Sequence, residues 1–181
     1  LTANGYRYIG MDHFAKIDDE LSRAQIEGTL QRNFQGYSTK AECDMVALGV
    51  SSISKIGSAY ACNPRELDDW AAAIKEGRLA TNRGYHLNED DELRRKVNME
   101  NMCNFALKKK DVEDKFGIHF DEVFAYELGK MKPYIHHDLV ELYPDRLVVL
   151  PKGKIFVRAV AMQFDRYLRE SNRAGGYSRI A

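Results

Sequence analysis

"YIGMDHFAKIDDELSRAQIEG", Tyr8–Gly28, decides how the fold is first read. An aromatic and β-branched run, Tyr6–Met11, reads as a buried strand. Asp18 or Asp19 can cap a helix that carries Leu21 and Ala24 and closes at Gly28. A strand, then Asp12-His13, then a helix start is the layout of an α/β edge, where functional groups gather at the carboxyl ends of strands. A histidine beside a carboxylate suits acid–base work. The plain alternative is that Asp12 bonds turn amides while His13 packs on Phe14.

Outward from that stretch, "DMVALGVSSIS" (Asp44–Ser54) is apolar and small, and its second half reads as a strand buried on both faces. Asn63-Pro64 is a helix-start signal, with Leu67, Trp70, Ala71 and Ile74 on one face and Gly77 at the end. Two strand-then-helix units without an obvious hairpin predict a parallel sheet with crossover helices. Such units cannot close a sheet alone. Together with an abrupt Leu-Thr-Ala-Asn-Gly start, they lead us to expect a piece of a longer polypeptide.

Beyond residues 77–88 the character becomes helical. Asn88 and Asp91 form a capping pair before a stripe of Leu93, Val97, Met102, Cys103 and Ala106. Asp111 starts a helix that ends at Gly117. Phe120, Val123, Phe124, Leu128 and Met131 mark a third helix, stopped by Pro133. "LVELYPDRLVVL" (Leu139–Leu150) is a hairpin about Pro144-Asp145, and a last helix spans 153–168. Three helices and a hairpin resemble a winged-helix module. The expected fold class is therefore α/β followed by a mainly helical domain.

Composition narrows the function. Of 181 residues, 44% are hydrophobic and 30% charged, which excludes a disordered chain. Lys+Arg and Asp+Glu each number 27, a balance that argues against a nucleic-acid binder. The helix that would serve for recognition, Phe120–Lys132, leads with Asp121 and Glu122, which also disfavours DNA. No apolar run reaches membrane-spanning length. Three cysteines in no C-x-x-C pair suggest a reducing, cytoplasmic setting, and Cys103 reads as buried filler. His136-His137 reads as a solvated loop. "NFQG" (Asn33–Gly36) offers a ring for stacking, an amide and a glycine that permits close approach. On residues alone, a surface turn with Phe34 tucked inward is the default.

"YIGMDHFAKIDDEL", "RNFQGYST", "LGVSSIS" and "FDRYLR" (Phe164–Arg169), in that order, resemble the C-terminal part of the oxygen-independent coproporphyrinogen III oxidases, radical S-adenosylmethionine enzymes. Ile17 departs from the proline usual there. The resemblance implies that residues 1–77 end an incomplete TIM-like barrel and that residues 78–181 form a winged-helix-like cover. It implies oxidative decarboxylation of two propionates of coproporphyrinogen III to vinyl groups, giving protoporphyrinogen IX. The implied cofactors are S-adenosylmethionine and a [4Fe-4S] cluster. The cluster's C-x-x-x-C-x-x-C motif is absent here, so its ligands, with the N-terminal barrel half, are expected elsewhere in the polypeptide. This chain alone is then expected to be inactive and monomeric. The resemblance places Phe34, Gln35 and Ile53 at the S-adenosylmethionine pockets, and Asp12 and His13 at the barrel mouth near the tetrapyrrole. Arg32, Arg173 and Arg179 are possible partners for its propionates. A haem or tetrapyrrole carrier is the alternative, with His13, His86, His119, His136 or His137 as ligand.

Overall fold

In the computed structural model, which describes residues 1–41 and 43–170, the Tyr8–Gly28 stretch turns back on itself before it reaches a helix. Strand β1 (Tyr6–Gly10) pairs antiparallel with β2 (His13–Lys16), and helix α1 (Glu20–Glu27) follows. Asp12-His13 thus sits at a hairpin tip, not at the end of a parallel strand. The turn hides in sequence because its left-handed residue is Met11, φ 52°, rather than Gly or Asn. The Tyr8 hydroxyl holds that turn by donating to the Met11 carbonyl at 3.1 Å.

Helix α1 forms as its sequence implies. The Asp19 carboxylate accepts from the Leu21 N–H at 2.8 Å, and Gly28 closes the helix in the left-handed conformation. Gln25 ties the helix to the hairpin. Its Nε2 donates to the Ile9 carbonyl at 2.6 Å, and its Oε1 accepts from Arg7 Nε at 2.8 Å. A second hairpin, β3 (Gln31–Asn33) with β4 (Gly36–Ser38), comes next.

The expected parallel sheet is not formed. Every strand pair among the described residues is antiparallel, in four small sheets, and no barrel is closed. The connections explain this: Met11-Asp12, Phe34-Gln35 and Gly57-Ser58 are two-residue links, far too short for a parallel crossover.

The chain divides into two compact units: residues 1–41 with those from 93 on, and residues 42–92. The cuts differ from the 77/78 boundary read from sequence. The shorter unit holds β5 (Ile53–Ile56), β6 (Ala59–Cys62), helix α2 (Leu67–Lys75) and β7 (Arg83–His86), with the strands in the order β5-β6-β7. The expected strand over Gly49–Ser54 starts only at Ile53. Before it the chain loops: Ser52 Oγ donates to the Ala47 and Gly49 carbonyls, and Asn63 Nδ2 donates to Gly49 at 2.9 Å. Asn63 is therefore engaged in closing a loop, and α2 begins at Leu67 after Glu66.

The longer unit continues through α3 (Glu89–Asn104), which starts inside the shorter unit, then β8 (Ala106–Lys108), α4 (Lys109–Phe116), α5 (Phe120–Val123), α6 (Ala125–Gly129) and α7 (Lys132–His136). Strands β9 (Val140–Leu142) and β10 (Arg146–Val149), a 3-10 turn (Pro151–Phe156), α8 (Val157–Met162) and α9 (Arg166–Glu170) complete it. The capping pair forms as read: the Asn88 N–H donates to Asp91 at 3.0 Å, and the Asp91 N–H donates to Asn88 at 2.9 Å. The third helix is broken at Phe124, and Pro133 lies in the first turn of α7 rather than ending a helix. The last helix is likewise divided, because the Asp165 carboxylate caps Tyr167 and Leu168 and so starts α9 anew. The main core gathers Val97, Leu107, Phe120, Phe124, Met131, Leu147 and Phe164. A smaller one joins Ile9, Ala15, Ala24, Leu30 and Cys103 beneath the first hairpin. No described helix is long and apolar enough to cross a membrane.

Candidate functional site

The two hairpin tips meet. Met11, Asp12 and His13 from the first, with Arg32, Phe34, Gln35 and Gly36 from the second, line one cleft of about 370 Å³. Ile155, Phe156 and Arg158 form its third side.

Each tip is set by local chemistry. Asn33 Oδ1 accepts from the Gln35 N–H at 2.8 Å and from the Gly36 N–H at 3.2 Å, an Asx turn that projects Phe34 and Gln35 outward. Phe34 is 57% exposed, so the inward-tucked alternative fails. Gly36, φ 143°, admits the His13 ring: a Cβ there would stand 2.9 Å from His13 Nε2. The ring also packs edge-on against Tyr37, with centroids 5.1 Å apart.

His13 Nδ1 lies 2.7 Å from Asp12 Oδ1, at ion-pair distance but without the alignment of a good hydrogen bond. The Asp12 carboxyl is held below its ordinary value, first by its own backbone N–H and then by His13. Whatever Asp12 gives the fold is therefore present above the unfolded-state pKa and lost as pH falls through the lowered one. Behind them Tyr37 donates to the Met102 carbonyl at 3.1 Å, and burial pushes its phenol well up, so it stays neutral. The Arg32 guanidinium lies 5.4 Å from the centre of that ring, while its Nε is buried without a hydrogen-bond partner.

Not every expected residue joins this cleft. Ile53 opens β5 in the other unit, half-buried and opposite Cys62, and is not among the lining residues. Arg173 and Arg179 lie outside the described residues. Arg158, Ile155 and Phe156 were missed, because "KIFVRAV" carries no functional signature and only the fold brings it here. His136 and His137 are exposed at the end of α7. Cys103 is buried filler as read, its thiol pushed up to about 12 chiefly by burial. Among the described residues no three His, Cys, Asp or Glu gather as metal ligands.

No family model matches the chain. Oxygen-independent coproporphyrinogen III oxidase of Pseudomonas aeruginosa is 46% identical over 173 residues, which cover 96% of this chain and 38% of that protein. The Escherichia coli protein of that name is 42% identical, over 99% of this chain and 39% of its own length. The one from Thermostichus vulcanus is 41% identical, over 95% and 53%. Among solved structures, coproporphyrinogen III oxidase from Escherichia coli, a radical SAM enzyme, matches with a TM-score of 0.88 at 42% identity, over 92% of this chain and 38% of that one. This chain spans less than half the length of the Pseudomonas and Escherichia relatives. Nearly end to end, then, it is homologous to one stretch of the oxygen-independent coproporphyrinogen III oxidases.

Proposed function

We propose that this chain is the C-terminal part of an oxygen-independent coproporphyrinogen III oxidase, and that its hairpin-tip cleft faces cofactor and substrate. The observation that carries the reading is the convergence of Asp12-His13 with Phe34-Gln35 on one cleft. The two pairs lie about twenty residues apart, yet the resemblance gives both a place near the reacting groups. In this reading residues 1–77 stand on the barrel side and residues 78–181 form the cover. A helix, strand, helices and hairpin, with β8 paired to β10, support a winged-helix-like description of that cover.

The donor set of the cleft suits S-adenosylmethionine: Phe34 offers a stacking face and Gln35 a ring-edge donor and acceptor. For Ile53, which does not line this cleft, the resemblance alone supports an apolar contact with the cofactor. S-adenosylmethionine held there would supply a carbon radical once reduced by one electron from an iron–sulfur cluster held elsewhere in the polypeptide. The residues of this chain bind, orient and exclude water. The chain does not fit the iron–sulfur cluster. Its cysteines have no C-x-x-x-C-x-x-C spacing and stand exposed, half-buried and buried, so no step is assigned to them. The chain alone is then inactive.

Gln35→Ala and Ile53→Asp in the full-length protein test the reading. Losing the Gln35 amide should lower S-adenosylmethionine-dependent turnover by up to about tenfold, the value of one hydrogen bond. Ile53→Asp, which puts a charge where apolar contact is expected, should lower it further. Cluster absorbance should be unchanged in both. Turnover equal to wild type in both would remove these residues from the cofactor site.

A further inference from the structure

We propose that Arg32, with Arg158 across the cleft, forms a carboxylate receptor, so that the cleft takes a flat apolar ligand by its acid group. The inference rests on the reading of the cleft given above and names residues for its ligand. Arg32 is half-buried, and its Nε is buried without a hydrogen-bond partner. Arg32 also lines the cleft, so the rest of its guanidinium fork can meet an acceptor that enters there. Tyr37 beneath it is kept neutral by burial and donates elsewhere, to Met102, so it supplies a ring face and no counter-charge. The one carboxylate lining the cleft, Asp12, lies beside His13, is 85% exposed and feels Arg32 least of the groups that act on it. Arg158 lines the same cavity, adding a second arginine to its wall. Two guanidinium forks suit bidentate recognition of a planar anion. Phe34 and Ile155, 57% and 69% exposed at the rim, offer apolar surface to whatever the acid is attached to. A tetrapyrrole propionate and the carboxylate of S-adenosylmethionine are two sources of this group.

The test measures binding to full-length protein carrying Arg32→Gln, Arg32→Lys or Arg158→Gln. Coproporphyrin III is followed by fluorescence, with its tetramethyl ester as the uncharged control, and S-adenosylmethionine by equilibrium dialysis. Circular dichroism confirms that each variant folds. R32Q should weaken one acid ligand about tenfold to a hundredfold, R158Q should weaken the same one, and R32K should restore part of the loss. Loss confined to coproporphyrin, with the ester unaffected by R32Q, makes the propionate the ligand. Loss confined to S-adenosylmethionine makes its carboxylate the ligand. Wild-type protein that binds both ligands, with both affinities unchanged in R32Q and R158Q, overturns the receptor and leaves the cleft's function standing. Wild-type protein that binds neither overturns both.

Discussion

Glu127→Ala should cost about 3–5 kcal/mol of folding stability, the range for removing one partner of a buried ion pair. Glu127 is 2% exposed and accepts from Arg94 Nη1 at 2.8 Å and from Arg169 Nη1 at 3.3 Å. Arg94 is itself only 11% exposed; it donates to the Phe164 carbonyl at 3.0 Å and lies 5.3 Å from the centre of the Phe124 ring. Deleting the carboxylate leaves that guanidinium in the core without the counter-charge at 2.8 Å, beside Phe124 and Phe164. Glu127→Gln keeps the shape and one acceptor, so it should cost less. Urea unfolding followed by aromatic circular dichroism measures both. A loss below about 1 kcal/mol for the alanine variant would mean the pair is solvated in solution, as surface pairs are.

Gly36→Ala should cost about 1–3 kcal/mol through backbone strain at φ 143° and should also move the His13 ring. The added methyl would meet Nε2 at 2.9 Å, and the ring is held between that point and Tyr37. Gly28→Ala separates the two effects. Gly28 has φ 72° and nothing within 4 Å of an added Cβ, so it carries strain without the clash. The His13 ring resonances should shift in the first variant and stay in place in the second. Equal, unshifted spectra would show that His13 has room the structure does not give it.

What was legible in the sequence was what local chemistry fixes alone. The Asp19 cap, the Gly28 stop, the Asn88–Asp91 box and the hairpin about Pro144-Asp145 all formed as read. The first hairpin did not show, because Met11 adopts a left-handed conformation that its type disfavours, and a local bond from the Tyr8 hydroxyl holds the turn. Pro133 was misread because a proline signals a first turn as well as a stop, and only the break between α6 and α7, at Lys130-Met131, decides which. Asn63 was misread because its side chain had a competing partner, the Gly49 carbonyl. At the site, Asp12, His13, Phe34 and Gln35 stood out in sequence as residue types. Their meeting depends on the packing of two hairpins about twenty residues apart, with His13 against Gly36, and Arg158 arrives from more than a hundred residues away; no local pattern encodes either.

In the proposed reading the two hairpin tips form one ligand site. A crystal structure of the full-length protein with S-adenosylmethionine tests it most directly. The expected result is the ligand in contact with Phe34 and Gln35. S-adenosylmethionine bound wholly elsewhere, touching no residue of this chain, would contradict it.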